Sequence, residues 1–176
     1  MLGLKCFSQT KFEREHRIKK SQFPSINMDS LPLENTKYIR YYREVDTSKI
    51  TYTLKFKKGK MQYHIDYNEK GALQNTGFMV KEVDIPTDTY ARIRSELNSN
   101  FQKTKIKYIQ QCYLGSSENV LKNTFQNLIL PSNTYKVMVR GNKTEKREDY
   151  IAIFDAEGNL EHMARALPPN YDHVLY

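Results

Sequence analysis

The sequence predicts an α+β fold made of two pseudo-repeated units, each a helix plus a meander of about four antiparallel strands. The main reason is a phrase that occurs twice, at residues 63–73 and 150–160. Each copy reads as a strand ending in an aromatic residue, then Asn or Asp, a turn with one glycine, and a leucine that opens the next strand. An alternating strand precedes each copy, at residues 52–56 and 135–139. We expect the helices to pack on one face of the sheet.

The first unit is expected to begin with a helix over residues 11–22. Thr10 and Glu13 have the spacing of a capping box, and Pro24 disfavours helical geometry at the residue before it. A loop over residues 25–35 should follow. Four strands are then predicted, at residues 36–44, 51–57, 61–67 and 73–80.

The clearest strand of the first unit is the second one, because its residues alternate strictly. Tyr52, Leu54 and Phe56 are expected to point inward, and Thr53, Lys55 and Lys57 outward. This pattern is typical of an antiparallel sheet with one solvated face. The fourth strand is weakened by Gly77, which has no side chain to pack.

The second unit contains the best helix of the chain, predicted at residues 87–101. Apolar side chains recur there at spacings of three and four, at Tyr90, Ile93, Leu97 and Phe101. Strands are predicted at residues 105–113, 134–140, 149–155 and 159–166. Residues 116–130 have no counterpart in the first unit and are interpreted as an insertion. A short helix and, at residues 128–130, a strand both fit its sequence.

These elements divide the chain into a first unit at residues 10–82 and a second at residues 83–166, with a C-terminal tail at residues 167–176. Residues 1–9 are interpreted as a flexible start or the remnant of a signal peptide. Their apolar run is short and contains a lysine, so they do not form a complete secretory signal. No run of 18 apolar residues occurs, and we therefore predict no transmembrane segment.

The chain is basic, with a net charge of +8 from 28 Lys and Arg against 20 Asp and Glu. The positive residues are spread over many elements, which favours a solvated surface with lysines that protect strand edges. The alternative is a site for nucleic acid or another polyanion. The two cysteines, Cys6 and Cys112, have neither zinc-finger nor redox spacing, and their pairing stays open.

Motifs for catalysis are absent from the sequence: no phosphate-binding glycine loop, no zinc-protease motif and no nucleophile elbow occurs. His64 and Asp66 share one face of a strand, but no third metal ligand is identifiable. We interpret them as an ordinary surface pair. The sequence therefore predicts no catalytic residue, no metal and no cofactor, and the protein is not expected to be an enzyme.

Tyrosines are concentrated in the strands of the first unit, and some of them must lie on the exposed face of the sheet. Tyrosine is a favoured residue at binding surfaces. The candidates for partner binding are Tyr38, Tyr41, Tyr42, Lys55 and Lys57. The competing interpretation is that these tyrosines pack under the helices with only their hydroxyl groups in water.

The motifs also carry a resemblance to a known family. They are Phe23-Pro24, Tyr52-x-Leu54-x-Phe56, Tyr67-Asn68-x-x-Gly71-x-Leu73, Ile85-Pro86, Tyr135-x-Val137-x-Val139 and Phe154-Asp155-x-x-Gly158-x-Leu160. Together they span roughly residues 11–166, and the chain resembles PepSY-like, β-lactamase-inhibitor-like periplasmic proteins.

The resemblance implies a non-enzymatic, exported binding or inhibitory module, periplasmic or secreted. Its partner would be a protein, a peptide or a component of the cell envelope. The alternative function is that of a basic β-sheet module that binds nucleic acid or another polyanion.

Overall fold

Nine antiparallel strands form one sheet whose spatial order equals their order in the chain. The protein is seen here in a computed structural model that describes residues 14–45, 49–143 and 145–166. The strands are β1 (Arg14–Ile18), β2 (Thr36–Val45), β3 (Ile50–Lys58), β4 (Met61–Tyr67), β5 (Leu73–Val80), β6 (Thr104–Leu114), β7 (Thr134–Gly141), β8 (Glu148–Phe154) and β9 (Leu160–Arg165). The α-helices of the described residues are α1 (Thr87–Asn100) and α2 (Val120–Phe125). Short 3₁₀ turns lie at Lys20–Gln22, Met28–Ser30 and Glu82–Asp84.

The prediction of two units, each with its own helix and its own meander, is wrong. β5 and β6 pair directly, from Asn75 opposite Leu114 to Val80 opposite Ile109, so the strands on either side of α1 belong to one sheet. An unpaired β5 would expose a row of backbone N–H and C=O groups, and β6 satisfies them. The connection through α1 brings the chain back beside β5 rather than starting a second sheet.

The predicted first helix is also wrong over the part that the structure describes, where the chain forms β1 and then a 3₁₀ turn. Glu15 and Arg17 alternate with His16 and Ile18, and this period of two suits pairing with β2 better than the thin apolar stripe suited a helix. The proposed capping residues, Thr10 and Glu13, lie outside the described residues.

Most other elements lie within two residues of their predicted bounds, and β4 and β5 coincide with them. The insertion forms the short helix α2. Its following segment is not a strand, because side chains of β6 and of the loop before β7 hold the Leu128 carbonyl. This oxygen accepts hydrogen bonds from Gln111 Nε2 at 2.9 Å, the Tyr113 hydroxyl at 2.5 Å and Asn133 Nδ2 at 3.1 Å.

One face of the sheet is covered by three segments and forms the core. Phe23 packs edge-on against Tyr41, Tyr52 and Tyr67. The second segment is α1, which buries side chains such as Ile93 completely. The third is α2, whose Phe125 ring lies 5.0 Å from the Tyr63 ring. The sheet contributes a continuous apolar surface to this core: Leu54, Phe56, Ile65, Phe78, Ile109, Tyr135, Val137, Val139, Ala152 and Phe154.

The two turns of the duplicated phrase are built alike, although they belong to one sheet. The side chain of Asn68 accepts hydrogen bonds from two backbone N–H groups of its turn, and Asp155 does the same in the other turn. Gly71 and Gly158 close these turns with φ of 75° and 90°. At Gly158 an added Cβ would lie 2.5 Å from the Thr89 carbonyl oxygen, so the second turn docks directly on α1.

This docking predicts a large difference between two glycine variants. Gly158→Ala should lower the free energy of unfolding by about 3 kcal/mol, since left-handed backbone strain and a clash with α1 add together. Gly59→Ala is the matched control, because Gly59 has φ of 59° with no atom within 4 Å of an added Cβ. It should cost only about 1 kcal/mol. Urea denaturation measures both, and equal losses would contradict the docking.

Candidate functional site

The opposite face of the sheet is not covered by any α-helix that the structure describes, and it carries a groove of about 610 Å³. The groove lies over β2, β3 and β4 and reaches β6. Its walls carry aromatic and cationic residues, at Tyr38, Arg40, Tyr42, Lys55 and Lys57. Buried His64 and partly buried Gln110 also line the groove. We call this feature the open-face groove.

The open-face groove brings together four of the five residues that the sequence singled out: Tyr38, Tyr42, Lys55 and Lys57. The fifth, Tyr41, is opposite Leu54 on the covered face, with its ring 5.1 Å from that of Phe23. Burial raises the pKa of Tyr41, as expected for a packing residue.

Sequence reasoning missed Arg40. The alternation of side chains along a strand could have placed Arg40 on this face, since it alternates with Tyr38 and Tyr42 along β2.

An irregularity in β2 shapes the groove wall. The register of β2 against β3 shifts between Lys37 and Arg40, and Tyr38 has a φ of 56°. Tyr38 is 68% exposed, which is unusual for a large aromatic side chain. β1 pairs only with the segment from Tyr41 to Val45, so no described strand borders the other half of β2. The bulge and the nearby lysine protect this half from edge-to-edge pairing and turn Tyr38 outward.

Positively charged side chains of β2 lie directly opposite positively charged side chains of β3. Lys37 is opposite Lys57, and Arg40 is opposite Lys55. Directly opposed like charges destabilise a sheet. Lys55 is partly compensated, because its Nζ lies 2.5 Å from Glu15 and 4.6 Å from the centre of the Tyr42 ring. Neither Arg40 nor Lys57 forms an ion pair with a described residue.

His64 lies deep in the groove and is only 7% exposed, so the expected exposed pair with Asp66 is wrong in this respect. Its ring lies against Gly77 of β5, and its Nδ1 is 3.5 Å from Gln110 Nε2. Burial lowers the pKa of His64, and its imidazole is therefore neutral at neutral pH. Asp66 instead accepts a hydrogen bond of 2.8 Å from the Thr53 hydroxyl.

The far half of the open face is different, because two of its cations share one carboxylate. Asp149 of β8 accepts hydrogen bonds from Arg140 at 2.8 and 3.1 Å and from Lys107 at 2.6 Å. The hydrogen bond from the Arg140 guanidinium lowers the pKa of Asp149, which keeps this carboxylate charged. Asp149 thus compensates part of the positive charge on this half of the open face.

Comparison with solved structures identifies the fold. A DUF2874 family protein from Bacteroides ovatus superposes with a TM-score of 0.50 at 10% identity, over 81% of this chain and 84% of the other. The chain shares its fold with that protein. A BLIP-like protein from Bacteroides fragilis gives a TM-score of 0.48 at 12% identity, over 79% and 82% of the two chains. A predicted periplasmic protein from Bacteroides eggerthii gives 0.48 at 9% identity, over 74% and 78%.

The resemblance to β-lactamase-inhibitor-like periplasmic proteins is thereby confirmed for the fold. No protein-family model and no curated protein sequence matches the chain.

The described residues include no group of three or more His, Cys, Asp and Glu side chains that could hold a metal ion. Within the same residues, neither α-helix has the length and apolar composition that crossing a membrane requires.

The opposed lysines predict a gain in stability when one charge is removed. Lys57→Gln should raise the free energy of unfolding by about 0.2–0.5 kcal/mol at low ionic strength, because it relieves repulsion with Lys37. The gain should vanish at high salt, where such repulsion is screened. Lys70→Gln, at an exposed lysine in the turn before β5, is the control and should leave stability unchanged. A loss of stability in Lys57→Gln, measured by thermal denaturation, would contradict this account of the groove charges.

Proposed function

We propose that this protein is an exported, non-enzymatic binding or inhibitory module that holds a partner in the open-face groove. The partner is a protein, a peptide or a component of the cell envelope. The observation that carries the proposal is the grouping of exposed Tyr38 and Arg40 with half-buried Tyr42 around a groove of about 610 Å³. Tyrosine and arginine supply much of the binding energy at protein interfaces, and binding sites typically have volumes of about 300–1,000 Å³.

The groove is held rigidly, which favours binding over chemistry. The side chains of Tyr42, Lys55 and Lys57 project from paired strands whose other face is packed against the core. Such a platform loses little conformational freedom when a partner binds. Its most buried titratable group, His64, is neutral and contacts Gln110 rather than a carboxylate that would orient it as a base.

Export rests on the family resemblance, which implies a periplasmic or secreted protein. Cell fractionation tests it: the native protein should appear in the fraction released by osmotic shock. Recovery in the fraction retained after shock would contradict export. Binding in the groove would then still be tested by the crosslinking experiment below.

Photo-crosslinking at the groove tests the binding function. A photoreactive phenylalanine in place of Tyr38 should give one discrete adduct with cell-envelope material, because this side chain projects over the groove. The matched control carries the same group at Val83, which is 81% exposed outside the groove. The adduct should disappear when Arg40→Glu is added, and the purified partner should bind the unmodified protein. The absence of an adduct at Tyr38, or the same adduct at Val83, would overturn the proposal.

A further inference from the structure

We propose that the segment of the partner that enters the open-face groove is acidic, and that its aspartate or glutamate carboxylates bind Arg40 and Lys57. This inference rests on the proposed function and names the chemistry of its partner. The ligand is a protein segment that carries carboxylates, not a nucleic acid.

The first argument is the positive charge that the residues of the groove leave uncompensated. Arg40 faces Lys55, and Lys57 faces Lys37, on neighbouring strands. Cβ atoms of such cross-strand pairs are about 4.5–5.5 Å apart, so both arrangements are repulsive. Among the described residues, Glu15 forms its ion pair with Lys55. A carboxylate placed between Arg40 and Lys57 would compensate both charges at once.

The second argument is that the groove already contains a precedent for carboxylate binding. The Glu15 carboxylate lies against Lys55 at the groove wall, within 2.5 Å of Nζ, while the ring of Tyr42 covers the same lysine. A carboxylate from a partner would find at Arg40 the planar donor that binds such groups with two parallel hydrogen bonds. Tyr38 stands beside Arg40 and offers an apolar ring for the neighbouring residues of the segment.

The third argument separates a carboxylate from a phosphate polymer. Binding of single-stranded nucleic acid requires a basic groove that follows the phosphate backbone over several nucleotides. Farther along this face an anion interrupts the cations, since Asp149 pairs with Arg140 and Lys107. Glu15 also places a negative charge on the groove wall, which disfavours a ligand that carries a continuous run of negative charges. The groove therefore suits a compact acidic segment.

The test is a titration of the isotope-labelled protein, followed by backbone amide and arginine side-chain NMR signals. The probes are a short peptide with three glutamates, the same peptide with glutamines, and an oligothymidylate of similar length. The glutamate peptide should give saturable shifts at residues 38–42 and 55–57. The glutamine peptide should give none, and the oligothymidylate should bind no more tightly than the glutamate peptide.

Two double variants make the test specific. Arg40→Gln with Lys57→Gln should weaken binding of the glutamate peptide by about tenfold or more, as expected for the loss of charge-assisted hydrogen bonds. Lys70→Gln with Lys122→Gln removes the same net charge at exposed lysines outside the groove and should leave binding unchanged. Both variants should keep the spectrum of a folded protein, because the four side chains are on the surface.

Three results would overturn the proposal: no groove shifts with the glutamate peptide, equal weakening in both variants, or tighter binding of the oligothymidylate at the same residues. Its failure is distinguishable from failure of the proposed function. A groove adduct at Tyr38 without binding of the acidic peptide would show that the binding site is right and the partner chemistry wrong. Loss of both would reject the binding function itself.

Discussion

The architecture depends on a close approach at Gly77, where β5 meets β4 on one side and β6 on the other. Gly77 is opposite His64 of β4 and Cys112 of β6. A Cβ at this position would lie 2.3 Å from the Gln111 carbonyl oxygen and 2.7 Å from the His64 ring, and neither distance is tolerable. Because glycine occupies the position, β6 can pair with β5 and the His64 ring can lie over the glycine. This contact joins the two halves of the chain into one sheet.

A continuous sheet with its covering segments on one side leaves the other side open. The core of the protein then needs no contribution from the open face, which is free to carry an arrangement that costs stability. The opposed cations beside the open-face groove are such an arrangement, since Lys37 and Lys57 repel each other with no described anion between them. Local features that oppose stability are common where a protein keeps a surface for binding.

Local structure could be predicted from the sequence where one periodicity, of a strand or of a helix, decides it. The alternation in β3 and β4 fixed which side chains face the core, and the spacing of Ile93 and Leu97 fixed α1. The long-range pairing of β5 with β6 could not be predicted from the sequence. There, Gly77 only indicates a weak strand, and its role becomes clear once its neighbours in space are known.

The same division holds for the groove. Tyr38, Tyr42, Lys55 and Lys57 could be selected by residue type, but Tyr41 could not be rejected until the position of Phe23 was known. Arg40 could be recognised as a groove residue only once its position opposite Lys55 on the neighbouring strand was known. The helix expected over residues 11–22 failed for a related reason, since a short amphipathic segment such as Arg14–Ile18 is decided by the strand beside it.

The most direct test of the continuous sheet is the proton–proton contact between Gly77 and Cys112, measured by nuclear Overhauser spectroscopy. The structure predicts strong cross-strand signals between the backbones of these two residues, together with slow amide exchange along β5 and β6. If these signals were absent and both strands exchanged rapidly, as edge strands do, the chain would form two separate sheets and the account of the open face would fail.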